Sequence, residues 1–193
     1  MTICKSLYFL DMESLILMEI HSVKRSKAGN FYDIILKEKN GAKGLSIPVG
    51  TYEGQMLLLF LEKKQILRPM TFELMLDIFS HFRLNVKEIV IVDFVDGSYR
   101  ALVTISNADG LEQKFDSRSS DAINLAVREA VPLYVENRVL EEVGFNISEA
   151  LIDGENEFIL QNLKELLQEA VKNQDEEMQS ILENEISNLK RKK

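Results

Sequence analysis

The densest group of residues that could do chemistry is the run 116–121, Asp-Ser-Arg-Ser-Ser-Asp. It follows a predicted strand and begins a predicted helix. Its two carboxylates, Asp116 and Asp121, could hold a divalent cation, and Arg118 could grip a phosphate through parallel hydrogen bonds. A helix N-terminus here would add free backbone N–H groups and the positive end of the helix dipole. The run therefore fits phosphodiester chemistry.

The same run also fits an ordinary helix start. Ser119 or Ser120 would serve as the N-cap, and Asp121 would be a favourable acid in the first turn. Arg118 would then pair with Asp116. On residue types alone this structural interpretation is favoured, so the chemical one needs support from elsewhere in the chain.

Two further predicted helix starts carry similar side chains. Glu53 follows Gly50 just after a predicted strand, and Arg68 precedes Thr71, the predicted N-cap of another helix. Glu53 supplies a third carboxylate and Arg68 a second guanidinium. Turn and capping chemistry is again the alternative explanation of both positions.

Most other catalytic machinery is missing from the sequence. The two histidines, His21 and His81, lie on a predicted strand and near a predicted helix end. The chain has no Gly-x-Ser-x-Gly elbow, no phosphate-binding Gly-x-x-x-x-Gly-Lys loop and no Gly-x-Gly-x-x-Gly fingerprint. Its single cysteine, Cys4, excludes a disulfide framework and a cysteine-based zinc cluster. Dinucleotide and nucleotide-driven enzymes are thus disfavoured.

Composition and charge limit the function classes further. The 193 residues are 46% hydrophobic and 28% charged, which is typical of a folded domain. With 31 acidic and 23 basic residues the net charge is −8, which argues against a basic surface that coats nucleic acid. No apolar run approaches the ~20 residues that span a bilayer, and no secretory signal is predicted. We expect a cytoplasmic protein that does not enter membranes.

Hydrophobic spacing predicts the elements that position these residues. Alternating apolar residues predict seven strands, at 15–23, 31–36, 45–49, 86–95, 99–106, 111–115 and 132–135. Helical spacing predicts helices after Gly50, after Thr71 and over 121–130. The Asp96-Gly97 and Asp109-Gly110 pairs predict hairpin turns. The expected fold is α+β, with packed helices on a mixed, largely antiparallel sheet whose two halves suggest an internal duplication.

The chain divides into four predicted regions. Residues 1–13 are expected to be disordered or weakly attached, 14–143 form the α+β domain and 144–156 are a linker. Residues 157–193 carry two apolar helical stripes and predict an αα-hairpin. Because a hairpin of ~30 residues is marginal alone, its stripes need another surface to cover them.

In their order and spacing, the three helix starts resemble the bifunctional nuclease (BFN) family of bacteria and plants. The similarity covers about residues 14–143. The matching segments are 46–53 (Ser-Ile-Pro-Val-Gly-Thr-Tyr-Glu), 68–71 (Arg-Pro-Met-Thr), 116–128 (Asp-Ser-Arg-Ser-Ser-Asp-Ala-Ile-Asn-Leu-Ala-Val-Arg) and 132–135 (Pro-Leu-Tyr-Val). The C-terminal hairpin is similar to the UVR motif of excision-repair subunits.

The resemblance implies an α+β nuclease that binds DNA or RNA transiently and uses a divalent cation such as Mg²⁺ or Mn²⁺. The candidate catalytic residues that it suggests are Asp116, Asp121 and Glu53, the first two also as metal ligands. The candidate phosphate-binding residues are Arg118, Arg68 and Arg128.

Two positions depart from the family pattern. Phe72 stands where the family usually has His, and Ser119 where it usually has Pro. Phe72 can neither transfer a proton nor bind a metal. The alternative is therefore a non-catalytic interaction or regulatory protein, in which the domain forms a homo-oligomer or binds a ligand and residues 157–193 dock on a protein partner.

Overall fold

The structure is a computed structural model that describes residues 14–26, 29–148, 163–164, 167–168, 171–172 and 176–191. The chain divides into two compact units on either side of the bond between Phe145 and Asn146. The predicted N-terminal segment 1–13 and most of the first helix of the predicted hairpin lie outside the described residues. None of the described helices is long and apolar enough to cross a membrane.

The described strands form one eight-stranded sheet, and seven of them lie wholly within the first unit. The strands are β1 (Leu15–Arg25), β2 (Phe31–Glu38), β3 (Lys43–Gly50), β4 (Asn85–Val95), β5 (Ser98–Ser106), β6 (Glu112–Arg118), β7 (Leu133–Glu136) and β8 (Phe145–Asn146). Their spatial order is β6-β5-β4-β7-β1-β2-β3-β8. Strands β4 and β7 run parallel, whereas β1–β2, β1–β7, β2–β3, β4–β5 and β5–β6 are antiparallel.

The described helices are α1 (Thr51–Leu61), α2 (Thr71–His81), α3 (Ser119–Glu129), α4 (Asn137–Val143) and α5 (Glu176–Arg191). The predicted α+β fold with a largely antiparallel sheet is confirmed. Helix α5 coincides with the second helix of the predicted hairpin, and its Leu182 and Ile186 are buried whereas Met178 and Ile181 are exposed. The hairpin as a whole stays a prediction.

Two successive segments share one arrangement. Strands β1, β2 and β3 form an antiparallel meander that leads directly into α1, and β4, β5 and β6 form another that leads directly into α3. The predicted duplication would produce this repeated order, although the duplication itself stays a prediction. In both segments the third helical residue is a carboxylate, Glu53 in α1 and Asp121 in α3.

The helix starts differ from the predicted caps. The N-cap of α2 is Met70, and the predicted cap Thr71 is the first helical residue. The Met70 N–H donates to the Glu73 carboxylate at 3.2 Å, which is the bond from the third helical residue back to the N-cap in a capping box. Neither Ser119 nor Ser120 is the N-cap of α3, because Arg118 holds that position.

Short elements were not predicted. Helix α4 and strand β8 have no counterpart in the sequence-based assignment, and β8 lies inside the predicted linker 144–156. Elements of two to seven residues are too short to show a hydrophobic period, so periodicity cannot detect them.

Both predicted hairpin turns are confirmed. Asp96 and Gly97 have positive φ angles of 51° and 75°, as a two-residue turn between twisted strands requires. In the second turn, the Asn107 side-chain oxygen accepts hydrogen bonds from the N–H groups of Asp109 and Leu111. These turns fix the register of β4, β5 and β6, and hence the placement of the run 116–121.

The core lies mainly between the sheet and its helices. Ile89 and Ile91 of β4 belong to this main core, whereas the alternating Val90 and Val92 join Leu102 in a second cluster on the other face. Strand β4 is therefore buried on both faces, and its neighbours present one row of side chains to each cluster.

Helix α1 approaches strand β2 closely at Gly54. A Cβ atom at Gly54 would lie 2.5 Å from the Tyr32 side chain on β2. We expect Gly54→Ala to lower the free energy of unfolding by about 1–3 kcal/mol through overpacking, despite the better helix propensity of Ala. Urea unfolding measures the change. Gln55→Ala, at the neighbouring exposed position, is the control, and equal stability of the two variants would contradict the close approach.

Candidate active site

Arg118 joins the starts of α1 and α3. Its Nε and Nη2 atoms donate to the Asp121 carboxylate at 2.7 and 3.0 Å, and Nη2 lies 3.1 Å from Oε1 of Glu53. The Arg118 side chain is 68% exposed, whereas that of Glu53 is 16% exposed. The structure thus brings together three of the six predicted site residues.

The local fold explains why the two carboxylates meet. Helices α1 and α3 contact each other, and Glu53 and Asp121 lie in their first turns, where the positive end of the helix dipole favours a carboxylate. Gly50 precedes α1, and a Cβ atom there would lie 2.4 Å from Oε2 of Glu53. A glycine at this position therefore leaves room for the Glu53 carboxylate.

Neighbouring carboxylates keep the Arg118 side chain positively charged. The hydrogen bonds and charge of Asp121, with a smaller contribution from Glu53, hold the pKa of Arg118 above its ordinary value. The guanidinium is thus a permanent cation. Within the described part of the chain, its contacts involve Nε and Nη2 alone, so both N–H groups of Nη1 remain for a ligand.

A cleft of about 260 Å³ opens beside the cluster. The residues that line it include Gly50, Glu53, Tyr99, Arg118, Ser119 and Ser120. Burial raises the pKa of Tyr99, so its phenol stays protonated and can donate a hydrogen bond. The sequence-based site did not include Tyr99, although the Asp96-Gly97 turn places it two residues beyond the hairpin tip.

Arg100 is a second residue that the sequence-based site did not include. In the register of β5 and β6 it stands directly opposite Arg118, and across β4 it stands opposite Asp93. Like charges directly opposite each other in a sheet are unfavourable unless other charges offset them. Asp93 on one side, and the two carboxylates that Arg118 contacts on the other, offset the two guanidinium charges in adjacent strands. Arg100 itself does not line the cleft, and the hairpin register is the signal that places it opposite Arg118.

Asp116 and Arg68 are not part of this cluster. Asp116 is exposed on β6 opposite Leu102, and it is among the residues that line a separate cavity of about 500 Å³ next to α2. Arg68 is exposed before the start of α2. Neither residue lines the Arg118 cleft.

The side chains present do not fit the predicted divalent-cation site. No group of three His, Cys, Asp or Glu side chains that could hold a metal ion occurs among the described residues. Glu53 and Asp121 both contact Arg118, so a cation bound between them would face the guanidinium charge. A requirement for Mg²⁺ or Mn²⁺ stays a prediction.

Arg128 has a different environment from the one predicted for a phosphate-binding residue. Its side chain is only 2% exposed, and its Nε lies 2.7 Å from Oε1 of Glu73. Nη1 donates to the Asn124 side chain at 2.8 Å, and Nη2 donates to the Met56 carbonyl at 3.3 Å. These contacts engage all three guanidinium nitrogens of Arg128 inside the domain.

Two aromatic rings complete the environment of Arg128. The guanidinium carbon lies 4.9 Å from the ring centre of Phe60 and 4.8 Å from that of Phe72. Phe72, the departure from the family pattern noted above, is 3% exposed. It supplies a cation–π contact at a position where His would have supplied a titratable ring.

Comparisons with known proteins agree with the resemblance to the bifunctional nuclease family, whereas the similarity of the C-terminal hairpin to the UVR motif stays a prediction. The family model of the bifunctional nuclease domain matches residues 34–148. An uncharacterized protein of Mycobacterium tuberculosis, present in two strains, is 33% identical over 115 residues, which cover 59% of this chain and 67% of that protein. Bifunctional nuclease 1 of Arabidopsis thaliana is 28% identical over 121 residues, which cover 61% of this chain and 37% of the plant protein.

The two arginines should differ in their effect on stability. Arg128→Ala removes a side chain that is 2% exposed, leaves a cavity and breaks its contacts with three helices, so we expect a loss of about 2–5 kcal/mol in the free energy of unfolding. The Arg118 side chain is 68% exposed, so water screens its ion pairs, and Arg118→Ala should cost only about 0–1 kcal/mol. Urea unfolding of both variants tests the contrast. If Arg128→Ala lowers the free energy of unfolding no more than Arg118→Ala does, Arg128 does not hold the helices together.

The Glu73–Arg128 pair also predicts a pH dependence. Burial by itself would raise the pKa of Glu73, but hydrogen bonds and charge from Arg128, with the Met70 N–H, outweigh it and lower the pKa below 4.5. The ionised carboxylate therefore stabilises the fold at neutral pH, and this stabilisation is lost as the pH falls below 4.5.

The measurement compares wild type with Glu73→Gln, which cannot ionise. The difference in their free energies of unfolding should shrink when urea unfolding is repeated at progressively lower pH. Glu62→Gln, which removes an exposed ion pair with Lys64, is the control and should change stability little. A wild-type advantage over Glu73→Gln that stays constant into acid would contradict the assignment.

Proposed function

This chain belongs to the bifunctional nuclease domain family, and we propose that its domain hydrolyses phosphodiester bonds of DNA or RNA in the Arg118 cleft. The observation that carries the proposal is the exposed Arg118 guanidinium, which Glu53 and Asp121 hold at the edge of a cleft. An exposed surface arginine seldom has a fixed orientation. Here two carboxylates from different helices orient it before any ligand arrives.

Phosphate binding would use donors that the cluster leaves free. The Nη1 N–H groups of Arg118 suit a phosphate oxygen, and Arg118 caps α3 without a side-chain capping bond. The first N–H groups of α3 are therefore available to an anion beside Ser119 and Ser120, which line the cleft. The same donors would stabilise the charge that develops on the phosphate oxygens during hydrolysis.

Proton transfer would use Glu53 and Tyr99. Glu53 lines the cleft and, as a carboxylate, can accept a proton from the attacking water. Tyr99 lines the same cleft in its protonated form and can donate to the leaving oxygen. Asp121 would act as a positioning residue, because it holds Arg118 through two hydrogen bonds.

The test is cleavage of labelled single-stranded DNA and RNA by the full chain, in Mg²⁺, in Mn²⁺ and in chelator. Arg118→Ala and Glu53→Gln should each lower the cleavage rate by roughly 10²–10³, the usual effect of removing one transition-state contact. Lys87→Ala, which removes a charge at an exposed position of β4, is the matched control. Wild-type rates in both site variants would contradict the assignment of the cleft, and the chelator arm tests the predicted metal requirement.

A second candidate function is binding without hydrolysis. The observation that favours it is Phe72, which is buried under Arg128 where the family usually has a titratable His. In that case the wild-type chain would bind the oligonucleotides in an Arg118-dependent manner and release no product under any metal condition. Product formation that depends on Glu53 would contradict this alternative.

A further inference from the structure

Strand β6 (Glu112–Arg118) lies at one end of the sheet. Within the described residues it pairs with β5 alone, so its other edge presents unpaired backbone N–H and C=O groups. Six of its seven residues are exposed. Edge strands of this kind are templates for pairing with another strand unless charges or bulges discourage it.

The charges of β6 favour one particular partner strand. In its sequence Glu-Gln-Lys-Phe-Asp-Ser-Arg, residues at equal distances before and after Phe115 carry opposite charges. When two copies of β6 run antiparallel with Phe115 opposite its own counterpart, Lys114 faces Asp116 of the second copy. Glu112 then faces Arg118 of the second copy, and twofold symmetry repeats each pair. Every charged residue of the strand thus meets an opposite charge, and the strand is complementary to itself.

Phe115, the apolar residue of β6, lies on the face of the strand opposite its charged residues. Phe115 stands opposite Val103 of the main core, so it leaves the sheet on the side of the helices, whereas Lys114 and Asp116 stand opposite Thr104 and Leu102 on the reverse face. Phe115 is 43% exposed beside the 500 Å³ cavity. A twofold pairing would bring the two Phe115 rings together and cover apolar surface there.

Helix α2 adds to this apolar surface. Its Met75 and Phe79 line the same cavity as Phe115. Leu74 and Ile78 of α2 and its C-cap residue Phe82 are exposed at a spacing of four residues. Residues with this spacing form one stripe along a helix. Apolar side chains of α2 and Phe115 thus line the cavity beside β6, and further apolar side chains are exposed on the adjacent stripe of α2.

We propose that the chain forms a twofold dimer in which β6 pairs antiparallel with β6 of a second copy, centred on Phe115. The pairing joins two eight-stranded sheets into one. Lys114 and Asp116 determine the register, because Arg118 is already engaged by Glu53 and Asp121. Asp116 then has an interface role that is independent of the cleft chemistry.

A charge exchange tests the proposal. Lys114→Glu places two carboxylates opposite each other at both symmetric pairs, and Asp116→Lys places two ammonium groups there. Each single variant should raise the dimer dissociation constant by roughly tenfold or more in sedimentation equilibrium at low salt. The double variant Lys114→Glu/Asp116→Lys restores opposite charges and should return the constant to near the wild-type value.

The control is Lys87→Glu, the same charge change on β4, which has neighbours on both sides; it should leave the dissociation constant unchanged. Circular dichroism confirms that each variant is folded. A wild-type chain that stays monomeric would overturn the proposal, as would a dimer that both single variants leave intact or a double variant that fails to recover. The last two results would place the interface elsewhere on the chain.

Discussion

The ion pair between buried Arg128 and partly buried Glu73 fixes the helices on which the candidate site depends. Burying a guanidinium is costly unless its donors are satisfied, and here Glu73 of α2, Asn124 of α3 and the Met56 carbonyl of α1 satisfy them. A correct set of partners exists only when the three helices are in place together. Displacing one helix would leave a charge unpaired in the core, so the network opposes small shifts of α1 against α3.

The Arg118 cleft needs this rigidity because its parts come from distant segments. Glu53 and Asp121 are 68 positions apart in sequence, yet both contact one guanidinium. The structural and the chemical interpretations of the run 116–121 are therefore compatible. Asp121 is the acidic first-turn residue that the structural interpretation predicted. That interpretation was wrong about the partner of Arg118, which contacts Asp121 and Glu53 and not Asp116. Glu53 adds what the run alone cannot show, since it orients Arg118 from a second helix at the mouth of a cleft.

The sequence predicted strands β1 to β7, the three main helices and both Asp-Gly turns because alternation, helical spacing and positive-φ turn residues are local properties. It could not distinguish Arg128 from Arg118. Arg118 precedes the apolar residues of α3 and Arg128 follows them, so local pattern treats the two alike. The burial of Arg128 depends on an ion-pair partner 55 residues away in the sequence. Asp116 and Asp121 looked like a pair because they are close in sequence, whereas strand register assigns Asp116 to the sheet edge. Arg100 and Tyr99 were accessible from the hairpin register but not from any motif.

The pairing of two carboxylates with one arginine beside the cleft has a kinetic consequence. Glu53, Asp121 and Arg118 together carry a formal charge of −1, and the whole chain carries −8. A polyanion approaching the protein meets no attractive long-range field, and screening removes much of what repulsion remains. Encounter would proceed at the unsteered rate of roughly 10⁵–10⁶ M⁻¹s⁻¹. Selection of a phosphate would then take place only at contact, where the oriented guanidinium and the helix N–H groups act over a few ångströms.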